Sequence, residues 1–118
     1  MYTDRLVDKA VARALRELGW EGSVCCVDTF LRRLLGMVVL PPFDDRGRPR
    51  ILVFPHCASV HTFRMGYPLD IAFADEAGGV LAWYCRVPPG RVLTHPGAYM
   101  VLERASMEEG LELQVRAA

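Results

Sequence analysis

The spacing of apolar residues in the first twenty positions predicts an amphipathic helix. Apolar side chains recur every three or four residues from Leu6 to Leu18, which places them on one helical face. Thr3 or Asp4 is a suitable N-cap, and Gly19 is a natural stop. The other face is charged, so we expect the apolar face to pack on the rest of the chain or on a second copy in a homodimer.

The clearest strand pattern is a hairpin between residues 69 and 87. Pro68 restricts the backbone before an apolar run at 69–74, the sequence Asp-Glu-Ala-Gly-Gly at 75–79 is typical of a turn, and 80–87 predicts the returning strand. Strict alternation would place Leu81 and Trp83 on one face and Val80 on the other. Because both faces of the first strand are largely apolar, we expect it to be central in its sheet.

Shorter apolar runs predict the remaining elements. They predict strands at 24–27, 51–54, 98–103 and 111–115, a short extended piece at 92–94, a helical or irregular segment at 28–36 and a surface loop at 41–50. We therefore predict a single α+β domain over residues 1–118. Its core is a mainly antiparallel sheet or partial barrel of five to seven short strands, preceded by the N-terminal helix.

Composition narrows the classes of protein that fit this pattern. A chain of 118 residues with 52% hydrophobic content is long enough to bury a core and too apolar to be disordered. Its 14 basic and 14 acidic side chains balance, so no overall charge favours nucleic acid or an anionic membrane. Charges interrupt the apolar residues near the start, and we predict a cytoplasmic protein with reduced cysteines and no cofactor.

The candidates for ligand binding lie in or near residues 57–70. They are His61, Thr62, Arg64, Asp70 and Arg91. The two arginines follow loops at either end of the hairpin and can hold a carboxylate or phosphate by bidentate hydrogen bonds. The structural alternatives are a histidine and an aspartate that bond loop backbone, and solvated arginines. We favour a noncatalytic domain that binds a small anionic ligand or a protein partner through these loops.

An enzyme is the alternative function. Cys57 lies four residues before His61, and a Cys-His pair oriented by Asp70 can form an activated thiolate nucleophile. The same three residues can ligate a metal, but they lack the spacing of a zinc motif, so we predict no metal site. The structural alternative for Cys57 is a small buried hydrophobic residue. The sequence leaves open whether the chain is an enzyme.

Several motifs occur in an order that resembles the family called domain of unknown function 192. They are Arg-Arg-Leu-Leu-Gly-Met at 32–37, His-Thr-Phe-Arg-Met at 61–65, Pro-Leu-Asp at 68–70, Pro-Gly-Arg at 89–91 and Tyr-Met-Val-Leu-Glu at 99–103. The resemblance covers roughly residues 25–115 and excludes the helix in residues 1–19. It implies a small, mainly antiparallel β domain of bacteria and archaea with no established reaction. The chain departs from the family in a longer loop at 41–50 and in residues 105–110, which replace a Pro-x-Gly helix.

Overall fold

The computed structural model describes residues 5–27, 41–63, 65–106 and 114–117. These residues form one helix and eight strands. The elements are α1 (Arg5–Leu18), β1 (Ser23–Cys26), β2 (Arg50–Pro55), β3 (Ser59–His61), β4 (Leu69–Ala74), β5 (Val80–Val87), β6 (Val92–Thr94), β7 (Met100–Ala105) and β8 (Gln114–Ala117).

Six of the strands form one open, mixed sheet in the order β1-β2-β7-β4-β5-β8. β1 runs parallel to β2, and the other neighbouring strands are antiparallel. The two remaining strands, β3 and β6, pair with each other as a separate antiparallel ribbon. The predicted α+β class is confirmed, and the main sheet lies within the predicted range of five to seven strands.

The helix α1 covers one face of the main sheet. Its buried residues Ala10, Ala14 and Leu18 pack with Ala72 and Leu102 from the central strands. The predicted apolar stripe therefore covers this chain's own sheet, and a homodimer through the helix stays a prediction. The helix ends where predicted, at Gly19 with a φ of 70°, and the proposed caps lie outside the described residues.

The ribbon covers the opposite face of the sheet. Val60 of β3 and Leu93 of β6 pack on a second apolar cluster that includes Phe54, Ile71 and Phe73. The strand β4 is buried along its whole length between the helix and ribbon layers, as its two apolar faces predicted. No helix in the described ranges is long and apolar enough to cross a membrane.

The hairpin forms as predicted, but the predicted strict alternation along β5 is wrong. Two register shifts interrupt the pairing of β4 with β5. The first leaves Leu81 as an extra residue, so Val80 and Trp83 lie together on the helix side. The second shift lies opposite Asp70, where Arg86 adopts a φ of 56°. Each inserted residue reverses the side to which later side chains point.

Three other expectations have different outcomes. The predicted strands at 24–27, 51–54 and 98–103 are present with boundaries shifted by one or two residues. The segment 28–36 lies outside the described residues, and the loop at 41–50 folds back as a turn with a single bridge between Phe43 and Pro49. The strand β3 was not predicted, because its three residues carry no apolar alternation.

Candidate functional site

The ribbon of β3 and β6 presents an inner apolar face and an outer mixed face. His61 lies directly opposite Val92, and Ser59 lies opposite Thr94. Because side chains alternate along a strand, these four residues point away from the core on which Val60 packs. The two hydroxyl groups of Ser59 and Thr94 share a 3.0 Å hydrogen bond across the strands. The outer face is therefore ordered by its own contacts.

Two apolar side chains on this outer face are open to solvent. Phe63 is 48% exposed and Val92 is 59% exposed. The Phe63 ring stacks on the His61 ring with 5.1 Å between centroids and 24° between planes. The Phe63 backbone N–H also donates to His61 Nδ1 at 3.3 Å, which fixes the ring of His61 in place. We call His61, Phe63 and Val92 the ribbon patch. Exposed apolar groups of this kind are typical of interaction surfaces.

Thr62 joins the patch to the turn that follows the hairpin. Its side chain is buried, and Oγ1 donates to the Pro88 carbonyl at 2.7 Å while accepting from the Arg91 backbone N–H at 2.9 Å. Two backbone bonds add to these, from Thr62 N–H to the Arg91 carbonyl and from Gly90 N–H to the Thr62 carbonyl. Thr62 therefore holds the patch in position through its side chain and its backbone.

Asp70 lies on the other side of the sheet, facing the helix layer. It is 1% exposed, and its Oδ1 accepts from the Arg86 backbone N–H at 3.1 Å. Its Oδ2 accepts from Arg104 Nε at 2.9 Å, which forms an ion pair directly across from β4 to β7. Asp70 thus fixes the bulge at Arg86 and neutralises a neighbouring cation.

The three residues proposed for a thiol site make separate contacts. The Cys57 thiol donates to the Ser59 carbonyl at 3.2 Å, and its side chain packs toward the ribbon side of the sheet. His61 contacts Phe63, while Asp70 contacts groups in the helix layer. Within the described ranges, no group of three His, Cys, Asp or Glu side chains is arranged to hold a metal ion. The described contacts therefore give no support to a Cys57, His61 and Asp70 triad.

The two candidate arginines differ in what the structure describes. Arg91 is exposed and follows the turn held by Thr62, which places its side chain beside Val92 at the border of the ribbon patch. Arg64 lies outside the described residues. The predicted arginine clamp stays a prediction for this reason.

Two functional features were missed by sequence reasoning. Phe63 was expected in the core or in a pocket wall, yet half of its side chain is exposed because the chain turns away from the core after β3. Glu103 was assigned only to a strand, yet it is 4% exposed in the middle of the sheet. Its position on a strand with two apolar faces was the signal available for its burial.

Glu103 carries a buried carboxyl group on the ribbon side of the sheet. It pairs with Leu52 on one side and Ile71 on the other, and no side chain or amide of the described residues donates a hydrogen bond to it. Burial raises the pKa of Glu103 to about 8, so the carboxyl is mostly protonated at neutral pH. Burial, together with the nearby Glu103 charge, also raises the pKa of Tyr67.

Comparison of the chain with protein-family models, with curated proteins and with solved structures gave no match.

Proposed function

We propose that this chain is a noncatalytic binding domain whose ribbon patch docks a protein partner. The partner presents an apolar side chain to Phe63 and Val92 and a carboxylate to Arg91. The observation that carries the proposal is the joint exposure of Phe63 and Val92 on a face that is otherwise held rigidly. Exposed aromatic groups supply much of the binding energy at protein interfaces.

The hydrogen bonds beneath the patch support this proposal. Thr62 ties the patch to the Pro88 carbonyl and the Arg91 amide, so the patch is ordered before a partner arrives. Binding to a preformed surface avoids the entropy cost of ordering a loop. The stack of His61 on Phe63 also restricts the aromatic ring, which leaves it available as a fixed contact.

The ribbon contacts favour a protein partner over the two other candidate functions. A thiol enzyme requires Cys57 to contact a base, whereas its sulfur donates to the Ser59 carbonyl. A small anionic ligand held by two arginines depends on Arg64, which the structure does not describe. Exposed apolar side chains favour a surface that another protein covers.

The family resemblance and the cytoplasmic location belong to this proposal. We propose a divergent member of the domain of unknown function 192 family, because the motif residues have distinct structural roles. Thr62 of His-Thr-Phe holds the ribbon, and Asp70 of Pro-Leu-Asp fixes the bulge in β5. The resemblance assigns no reaction, which agrees with a binding role.

Site-specific photo-crosslinking in extract from the source organism tests the proposal. Benzoylphenylalanine is placed at position 63, at position 92 and, as a control, at exposed position 76 in the turn between β4 and β5. We expect one protein to crosslink from positions 63 and 92 but not from 76. That protein is then purified and must bind the purified chain. No crosslink from 63 and 92, or equal crosslinking from all three positions, would overturn the proposal.

A further inference from the structure

A second group of charged and aromatic side chains lies on the helix side of the sheet. Arg104 of β7 lies directly opposite Asp70 of β4, and its Nε donates to the buried carboxylate at 2.9 Å. The Arg104 guanidinium also stacks over the Trp20 ring, with 4.5 Å from its central carbon to the ring centroid. A hydrogen bond along one edge and an aromatic ring against one face together fix the orientation of a guanidinium.

The opposite edge of this guanidinium is available. Asp70 uses its second oxygen for the Arg86 amide, so Arg104 receives one carboxylate bond, at Nε. Among the described residues, the two Nη groups of Arg104 have no hydrogen-bond partner, and the side chain is 15% exposed. An arginine held in this way presents two parallel N–H donors, which match the oxygens of a carboxylate or phosphate.

A groove lies beside the same tryptophan. It has a volume of about 280 Å³ and is lined by Leu15, Arg16, Gly19, Trp20 and Glu21 at the end of α1. Arg16 adds a second cation to the groove, and Trp20 with Leu15 gives an apolar wall. Trp20 is thus shared between the groove and the guanidinium, and its buried Nε1 has no partner in the described part of the chain.

From this arrangement we propose an anion-binding site at Arg104 and Trp20. The ligand is a small molecule with a carboxylate or phosphate that the Nη groups of Arg104 bind, and with an apolar or planar body that lies in the groove near Arg16. The site is separate from the ribbon patch, because the main sheet lies between them. It therefore stands or falls independently of the proposed protein partner.

Titration with benzoate and with phenyl phosphate tests this site in the intact chain. Tryptophan fluorescence is a suitable signal, because Trp20 lines the site and its ring lies 6.2 Å from that of Trp83. We expect a saturable change below about 10 mM for at least one probe, measured against sodium chloride at equal ionic strength. Saturation by benzoate identifies the carboxylate form, and saturation by phenyl phosphate identifies the phosphate form.

Arg104→Lys is the informative variant, since it keeps the charge beside Asp70 and removes the two-donor edge. We expect it to weaken binding about tenfold or more, with a circular dichroism spectrum like that of the wild type. Arg48→Lys, at an exposed arginine of the 41–50 turn, is the matched control and should bind as the wild type does. If neither probe saturates, or if Arg104→Lys binds as tightly as Arg48→Lys, the proposal is wrong. For a variant that does not fold, guanidinium NMR shifts of Arg104 in the wild type decide, and shifts unchanged by either probe would also refute the site.

Discussion

The Thr62 hydroxyl donates a 2.7 Å hydrogen bond to the Pro88 carbonyl and so joins two segments that are 26 positions apart in the sequence. The same oxygen accepts from the Arg91 amide. Through these two bonds, the position of the exposed ribbon patch depends on the turn that follows β5. A buried hydroxyl with both a donor and an acceptor role has no apolar substitute of equal effect.

Thr62→Val is expected to lower the free energy of unfolding by about 1 to 3 kcal/mol, because it leaves the Pro88 carbonyl and the Arg91 amide without this partner. Chemical denaturation measures the loss. Thr62→Ser keeps the hydroxyl and should retain most of the stability. Equal losses in the two variants would mean that packing of the Thr62 methyl group, rather than its hydrogen bonds, stabilises the turn.

Asp70→Ala is expected to lower the free energy of unfolding by about 3 to 5 kcal/mol, since it leaves the Arg104 charge without its carboxylate in a mostly buried position. The Arg86 amide in the bulge loses its acceptor at the same time. Arg13→Ala, which breaks an exposed ion pair with Glu17, is the control and should cost much less. A loss in Asp70→Ala no larger than in the control would contradict this account of the ion pair.

Glu103→Gln is expected to change how stability depends on pH. Burial raises the pKa of Glu103 from 4.5 to about 8, so the folded state keeps a proton that the unfolded state releases between these values. This contribution is fully present below pH 4.5 and is lost as pH rises toward 8, by roughly 1 kcal/mol per pH unit. The glutamine lacks this dependence, so its stability should fall less over that window. Denaturation at several pH values measures both slopes, with the exposed Glu76→Gln as control; parallel curves for Glu103→Gln and wild type would refute the burial effect.

Gly78→Ala is expected to disrupt the contact between the hairpin turn and α1. A Cβ at Gly78 would overlap the Ala10 carbonyl, and the residue has a φ of 89°. Gly90 has a similar φ of 85° with open space around it, so Gly90→Ala isolates the backbone strain, which costs about 1 to 2 kcal/mol. Thermal melting should show a clearly larger loss for Gly78→Ala. Equal losses would mean that the helix moves away without cost.

Periodic patterns predicted most of the fold. The helix α1 and the strands β4 and β5 are long enough for their apolar spacing to be distinctive, and the hairpin turn carries two consecutive glycines. The faces of β5 were not predictable, because an inserted residue such as Leu81 leaves no mark in an apolar strand. The ribbon was missed in part because the three residues of β3 are too few to establish a period.

The candidate residues were predictable as a set, but their partners were not. The polar stretch 57–70 identified His61, Thr62 and Asp70, yet β3 and β4 direct these side chains to different layers. Arg104 pairs with Asp70 only because β7 inserts between β2 and β4 in the sheet. Such long-range pairing depends on strand order, which local patterns do not encode.

The affinity of the chain for its crosslinked partner is the most direct test of the ribbon patch. Isothermal titration calorimetry compares wild type, Phe63→Ser and the exposed control Glu76→Ser. We predict that Phe63→Ser raises the Kd about tenfold or more while Glu76→Ser stays within about twofold of wild type. Equal affinities for wild type and Phe63→Ser would contradict the proposal that the partner docks on the ribbon patch.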